Sequence, residues 1–234
     1  MKTLGFLTIA VLMSQVLSAQ TDFFQATDAF LSKNVENGRV DYESIVKNPA
    51  ELNNLYKQVE NIDLAGKSAE FEKSFYINAY NILVIKQVVD LYPIKSPLEN
   101  GKFFNGIKHV VAGKKLTLDG LEKGTLYKKY PDPRIHFAVV CAAVGCPPIH
   151  DEAFTPDNLE SLLTERTANA LNDDYFTRVS GNKVQLSQIF NWYNGDFVSK
   201  KLGLVDYVNQ YRTEKLPEKS KVSYYEYDWN LNKK

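Results

Sequence analysis

Apolar residues recur three and four positions apart in several segments of the chain, which is the spacing that places side chains on one face of a helix. Asn, Ser or Pro stands at the start of several of these segments, and Gly or Pro follows the end of several of them. The predicted helices are 22–34, a short one beginning near Tyr42, 49–62, 69–91, 119–129, 156–171 and one beginning at Leu186. Segment 69–91 is apolar almost all round, which predicts a long helix buried at the centre of the protein.

Short runs of β-branched and aromatic residues, bounded by turn residues, predict strands. These runs are 107–111, 115–118, 135–141, 175–179 and 183–186, with a strand or extended tail at 224–229, whereas 95–106 has the composition of a loop. Helices outnumber strands, and most strands pair as hairpins. The expected fold class is therefore α+β: a single helix-rich domain with a long buried central helix and a small, mostly antiparallel sheet.

The N-terminus has the pattern of a secretory signal peptide. Lys2 precedes a mostly apolar stretch, Leu4–Leu17, which is followed by the small residues Ser18 and Ala19. The stretch is shorter than the about 20 apolar residues that a membrane span needs. We therefore expect residues 1–20 to be a signal peptide and residues 21–234 to form one domain. The mature protein is expected to be exported, periplasmic or extracellular, and without a membrane span.

Composition narrows the expected partners. The 28 Lys and Arg residues balance 28 Asp and Glu residues, so the chain lacks the excess of positive charge that is typical of proteins that bind nucleic acid. A phosphate-binding glycine loop and a dinucleotide fingerprint are both missing from the sequence, so no cofactor is expected. A small molecule or a peptide is the expected kind of substrate, and the sequence predicts no oligomeric state.

Residues 132–150 concentrate the side chains that can carry chemistry, with both cysteines and two of the three histidines. In the predicted strand 135–141, alternation places His136 and Cys141 on opposite faces. Cys146 follows a segment that can double back, because Gly145 tolerates the backbone angles of a tight turn. A pair formed by His136 and Cys146 is therefore geometrically allowed.

Six segments of the chain, in order, carry the motifs of a known family. They are VDY at 40–42, FYINAYNILVI at 75–85, LTLDGLEKGTL at 116–126, DPRIHFAVVCAAVGCPP at 132–148, LSQIFNWYNGDF at 186–197 and YDWNLN at 227–232. Over most of its expected mature length the chain resembles the domain of unknown function 547 family. The resemblance implies no established activity. It implies that hallmark positions are occupied by His136, Cys141, Cys146, Asn78 and Asn81.

Three interpretations of the cysteines remain open. In an exported protein, Cys141 and Cys146 can form a short structural disulfide. Alternatively, Cys146 is a nucleophile whose proton is taken by His136, with an Asn or Glu orienting the imidazole. A zinc site would add His150, but the gaps between these residues match no common structural zinc pattern, so no metal is expected. The four residues between the cysteines also differ from the two that are usual in reactive dithiol pairs.

The hypothesis from sequence is a cysteine-dependent hydrolase or acyl transferase acting on peptide-like or amide substrates. The alternative is a non-enzymatic envelope or interaction module with a structural disulfide. The candidate catalytic residues are Cys146, His136, Asn78 and Glu122. The candidate substrate contacts are Arg134, Asn81 and Cys141.

Several of these candidates also have a structural interpretation. Asn78 and Asn81 lie on one face of the central helix, where buried amides favour a clamp on neighbouring backbone. Asp119 and Glu122 have the spacing of a helix capping box. Arg134 is as well suited to an ion pair with a neighbouring acid as to a substrate. The aromatic clusters at 190–193 and 224–229 are interpreted mainly as core packing.

Overall fold

The structure is a computed structural model that describes residues 23–234; the predicted signal peptide, residues 1–20, lies outside the described residues. The α-helices are α1 (23–34), α2 (Tyr42–Lys47), α3 (Ala50–Asn61), α4 (Ala69–Leu91), α5 (Leu118–Leu121), α6 (Leu159–Asn172), α7 (Ile189–Trp192), α8 (Asn194–Phe197) and α9 (Leu204–Tyr211). The strands are β1 (Val35–Glu36), β2 (Arg39–Val40), β3 (His109–Val111), β4 (Lys114–Leu116), β5 (Thr177–Ser180), β6 (Lys183–Leu186) and β7 (Lys221–Tyr224). The prediction of a helix-rich α+β fold is confirmed.

Helix α4 is the centre of the core and has the predicted bounds. Ser68 caps its first turn by accepting a hydrogen bond from the backbone N–H of Phe71 at 3.2 Å. Its side chains are buried on all sides, because α2, α3 and α5 pack around it. The helix ends at Leu91, since the residue before Pro93 is excluded from helical geometry.

The strands form three small sheets rather than one. Two are antiparallel hairpins, β1 with β2 and β3 with β4. In the third, β5 pairs antiparallel with β6, and β7 pairs parallel with β6. A parallel neighbour requires a long connection, and here the connection contains α7, α8 and α9. Pairing is mostly antiparallel, as predicted, and the parallel strand β7 is an addition.

The predicted strand 135–141 is wrong. Pro133–Phe137 is a 3₁₀ helix, and irregular backbone follows it. Pro133 occupies the first turn, and the Asp132 side chain accepts a hydrogen bond from the Arg134 N–H at 3.0 Å. A short buried apolar run has no periodicity that separates a strand from a helical turn, and these local signals favour the turn. The face assignments that rested on alternation are therefore also wrong.

Two other predicted helices differ in detail. The helix expected at 119–129 begins as α5 and continues as a π-helical segment, Glu122–Tyr127. The helix expected from Leu186 is replaced by two short helices, α7 and α8, with Tyr193 between them.

The C-terminal tail crosses the loop that carries the cysteines. Backbone N–H groups of Val144 and Gly145 donate to the carbonyls of Asn230 and Asp228, each at 2.8 Å. A Cβ atom on Gly145 would lie 3.0 Å from the Tyr227 ring, so only glycine allows this close approach. The tail thereby brings Tyr227 to the cysteines.

Among residues 23–234, no helix combines the length and hydrophobicity required to cross a membrane.

Candidate functional site

A cavity of about 440 Å³ brings together several of the predicted site residues. His136, Cys141, Cys146 and Glu122 all line it. Its volume lies in the range of about 300–1,000 Å³ that is typical of small-molecule sites. The structure therefore places the two cysteines, the histidine and one candidate carboxylate at a single site.

His136 is buried and oriented by a carboxylate. Its Nε2 lies 2.8 Å from Oδ2 of Asp196, and its ring packs between Tyr127 and Tyr193, with ring centroids 5.2 Å and 4.2 Å away. Burial lowers the pKa of His136, whereas hydrogen bonding and the negative charge of Asp196 oppose that shift. The imidazole is thus held neutral in a defined orientation, which is the state in which a histidine can accept a proton.

Cys141 and Cys146 form a disulfide, with their Cα atoms 6.4 Å apart, as in the first of the three open interpretations of the cysteines. Two groups donate hydrogen bonds to Sγ of Cys146: the backbone N–H of Cys141 and the hydroxyl of Tyr227, each at 3.0 Å. The same hydroxyl lies 3.2 Å from Sγ of Cys141. Burial raises the pKa of Tyr227, so its hydroxyl stays protonated and remains a donor to sulfur.

Glu122 is a buried acid of the cavity rather than a helix cap. The cap of α5 is Thr117, whose hydroxyl oxygen accepts the N–H of Gly120 at 3.0 Å, so the capping-box interpretation is wrong. The Tyr193 hydroxyl donates to Oε1 of Glu122 at 3.3 Å, and Tyr80 also hydrogen-bonds this carboxyl group. Burial raises the pKa of Glu122. The carboxylate bonded to His136 is Asp196, not Glu122.

Asn78 and Asn81 clamp two stretches of backbone. Asn78 pairs with both main-chain groups of Phe154, donating at 2.6 Å and accepting at 3.1 Å. Asn81 donates to the Ala138 carbonyl and accepts the Val140 N–H, both at 2.9 Å. Neither asparagine is among the residues that line the cavity. The clamp interpretation is confirmed, and Asn81 fixes the backbone between His136 and the disulfide.

Arg134 belongs to an ion-pair network with Asp132, Glu160 and Lys73. Its guanidinium donates to Asp132 at 3.0 and 2.7 Å and to Glu160 at 2.6 Å. Asp132 also accepts from Lys73 at 2.6 Å, and these partners lower its pKa to about 2 in spite of burial. The predicted pairing with a neighbouring acid is confirmed, and Arg134 is not a lining residue of the cavity.

Sequence reasoning missed the carboxylate and the aromatic wall of this cavity. Asp196 lies in the segment 186–197 that carries the family resemblance, which is the one signal that could have drawn attention to it. Most aromatic residues of the clusters 190–193 and 224–229 are buried or packed against the core, as predicted, but Trp192, which lines the cavity, is 48% exposed. Its indole stacks on Trp229 with ring centroids 5.8 Å apart, and Trp229 lies 4.7 Å from the Tyr227 ring.

Histidines outside this cavity have other partners. His109 is buried and lies 2.8 Å from Oε1 of Gln87, as expected for a structural histidine. His150 lies 3.0 Å from Asp151 and 3.5 Å from Glu152. Within the described part of the chain, no three His, Cys, Asp or Glu side chains are arranged to hold a metal ion.

The comparison with protein families gives a match for the central part of the chain. Residues 64–171 match the model of the family described as protein of unknown function, DUF547. Over these residues the chain belongs to that family. The DUF547 segment includes α4, Glu122, His136 and both cysteines, whereas Asp196 and the tail with Tyr227 lie beyond it. Comparison with curated proteins and with solved structures gives no match.

Proposed function

We propose that this protein is a cysteine-dependent hydrolase or acyl transferase acting on peptide-like or amide substrates, with Cys146 as nucleophile and His136 as base. The observation that best supports the proposal is that Cys146 and a histidine oriented by Asp196 line one cavity. A nucleophile, a base and a group that orients the base are the parts that thiol catalysis requires.

The disulfide is the resting form in this proposal. A dithiol reductant supplies two electrons and two protons, giving two thiols and an oxidised reductant. The Cys141 N–H and the Tyr227 hydroxyl, which donate to Cys146 in the disulfide, favour its thiolate once it is released. Nδ1 of His136 has no hydrogen-bond partner among the described residues, which leaves it available for the proton.

The reaction then proceeds in two steps. His136 takes the Cys146 proton, and the sulfur attacks the substrate carbonyl carbon. The carbon–nitrogen bond breaks, and the amine leaves with the proton from the imidazolium. In the second step His136 takes a proton from water or from an acceptor nucleophile, which attacks the thioester and releases the Cys146 thiol. Hydrolysis and acyl transfer differ only in that second nucleophile.

The test uses Cys141→Ser, which leaves Cys146 as the single thiol without any need for reduction. We expect iodoacetamide to alkylate this thiol at neutral pH about tenfold faster than in the same background with His136→Ala. Cys146→Ser, which leaves Cys141 alone, reports which sulfur is activated. His150→Ala in the Cys141→Ser background controls for loss of a histidine. Equal rates with and without His136 would refute the assignment of base and nucleophile.

The observed disulfide favours a second candidate, a non-enzymatic envelope or interaction module in which Cys141 and Cys146 staple a loop. Closing a loop of this length stabilises a fold by about 2 kcal/mol. If the protein is such a module, the chain denatured without reductant has no free thiols. The Cys141→Ser variant is then alkylated at the same rate with and without His136. Rapid, His136-dependent alkylation favours the enzyme.

Export is part of both proposals. It rests on the signal-peptide pattern of residues 1–20, and either candidate would act in the periplasm or outside the cell. Intact-mass measurement of the protein recovered from the exported fraction tests it, with cleavage after Ala19 or Gln20 as the expected result. Full-length protein confined to the cytoplasm would contradict export.

A further inference from the structure

A second cavity, of about 600 Å³, adjoins the candidate site. The two cavities share Cys146 and Pro147 as lining residues. The walls of the second come from the turn between β1 and β2, the loop 143–151, helix α6 and the C-terminal tail. Apart from Cys146, the chemistry proposed above uses no lining residue of this second cavity.

Two arginines line this second cavity without a carboxylate partner. Arg39 faces Glu36 across the β1–β2 hairpin, but Glu36 pairs with Lys234 instead. Arg166 donates from Nη2 to the Pro148 carbonyl at 2.7 Å. In residues 23–234 neither guanidinium forms a salt bridge, which leaves most of their planar N–H donors free. An arginine whose N–H donors are free is suited to binding an oxyanion, because its paired N–H groups match the spacing of carboxylate and phosphate oxygens.

Asn232, another lining residue, offers the cavity a third donor. It is 3% exposed, and its Oδ1 accepts the Tyr42 hydroxyl at 2.8 Å. Its Nδ2 donates to no residue in the described part of the chain. Because Asn232 lines the cavity, this amide N–H can be offered to a ligand oxygen or to a water molecule.

The acids that line the same cavity are already engaged. Oδ1 of Asp173 accepts the backbone N–H of Tyr175 at 2.8 Å and that of Phe176 at 3.3 Å. Asp151 lies 3.0 Å from Nδ1 of His150. The two arginines therefore keep free N–H donors while acceptor oxygens of both acids are occupied, which favours a ligand that brings its own acceptor oxygens.

We infer that the second cavity binds a small molecule through a carboxylate or phosphate group held by Arg39, Arg166 and Asn232. The volume is far larger than one oxyanion requires, so the remainder of the ligand would pack on the apolar lining, which includes Val35, Ala170 and Phe176. This inference does not depend on the thiol chemistry, since it uses neither His136 nor a free cysteine.

Isothermal titration of the full chain with succinate and with inorganic phosphate, at constant ionic strength set by chloride, tests the inference. Saturable binding of one probe is expected. Binding of succinate identifies the ligand group as a carboxylate, and binding of inorganic phosphate identifies it as a phosphate. Arg39→Gln and Arg166→Gln should each weaken binding at least tenfold. Asn232→Asp keeps the acceptor for Tyr42 but places a negative charge in the cavity, so it should abolish binding.

Arg178→Gln is the matched control, because this arginine lies over the rings of Tyr175 and Tyr225 and is not itself a lining residue of the cavity. It should bind as the wild type does. Arg166→Gln also removes the hydrogen bond to the Pro148 carbonyl, so any loosening of that loop contributes to its effect on binding. The Arg39 side chain has no hydrogen-bonded partner among the described residues, so weaker binding by Arg39→Gln reports the loss of the ligand contact alone. Failure of both probes to bind saturably, or equal weakening by Arg178→Gln, would overturn the inference.

Discussion

The Nε2 atom of His136 lies 2.8 Å from Oδ2 of Asp196, although the two residues are 60 positions apart in the chain. The contact joins the 3₁₀ helix at 133–137 to α8. A histidine side chain that is hydrogen-bonded to a carboxylate in this way keeps one ring orientation and one tautomer. The proposed base is therefore positioned by an element outside the family segment, and the contact is open to direct test.

Asp196→Asn should slow alkylation of Cys146 in the Cys141→Ser background by about tenfold or more, because an amide holds the imidazole less firmly and can stabilise the wrong tautomer. The measurement is the alkylation rate as a function of pH, alongside the melting temperature. The exposed Asp174→Asn provides the control for loss of a carboxylate. An unchanged rate in a folded Asp196→Asn variant would remove Asp196 from the proposed machinery.

Glu122→Gln should become more stable relative to the wild type as pH rises. Burial raises the pKa of Glu122, so the folded protein retains this proton over a range in which the unfolded chain has lost it. The stabilisation from the protonated carboxyl is full below the ordinary value of 4.5 and is lost as pH rises through the raised folded value. Urea unfolding from pH 4 upward measures the difference.

The control for that series is Glu226→Gln, at an exposed position of the tail. Its stability should follow the wild type at every pH. A Glu122→Gln variant whose advantage over the wild type stays constant or shrinks with pH would show that the carboxyl is not buried as the structure has it.

Asn81→Ala should lower the free energy of unfolding by about 2–4 kcal/mol, because it leaves the Ala138 carbonyl and the Val140 N–H buried without partners. The matched variant Asn61→Ala removes an exposed asparagine that bonds the Lys57 carbonyl of its own helix, and it should cost at most about 0.5 kcal/mol. Urea denaturation measures both. Similar small losses in the two variants would contradict the clamp.

Gly38→Ala should destabilise the fold by about 2–4 kcal/mol, from left-handed backbone strain and a clash together. Its φ is +73°, and an added Cβ would lie 2.4 Å from Cβ of Pro148. Gly66 has nearly the same φ, +72°, with no atom within 4 Å of an added Cβ, so Gly66→Ala isolates the strain and should cost about 1 kcal/mol. Thermal unfolding of both variants checks the difference.

Periodicity predicted the helices best where burial and local signals agree. The bounds of α4 are correct because a fully apolar segment, a Ser cap and a following proline all indicate the same helix. Segment 135–141 failed because its apolar residues suit a buried strand and a buried turn equally well, and Pro133 with Asp132 favours the turn. Asp119 and Glu122 have the spacing of a capping box, but α5 begins at Leu118 with Thr117 as its cap, so spacing alone assigns Glu122 wrongly.

By itself, the sequence determined the α+β class, the central helix and the family of segment 64–171, and it singled out His136 and the two cysteines as candidate site residues. Only the tertiary structure decided which carboxylate meets His136, that Tyr227 reaches both sulfurs, and that Arg39 and Arg166 face one cavity. The reason is physical: local propensity and periodicity act over a few residues, whereas these contacts depend on how α8, the hairpin and the tail pack on the core.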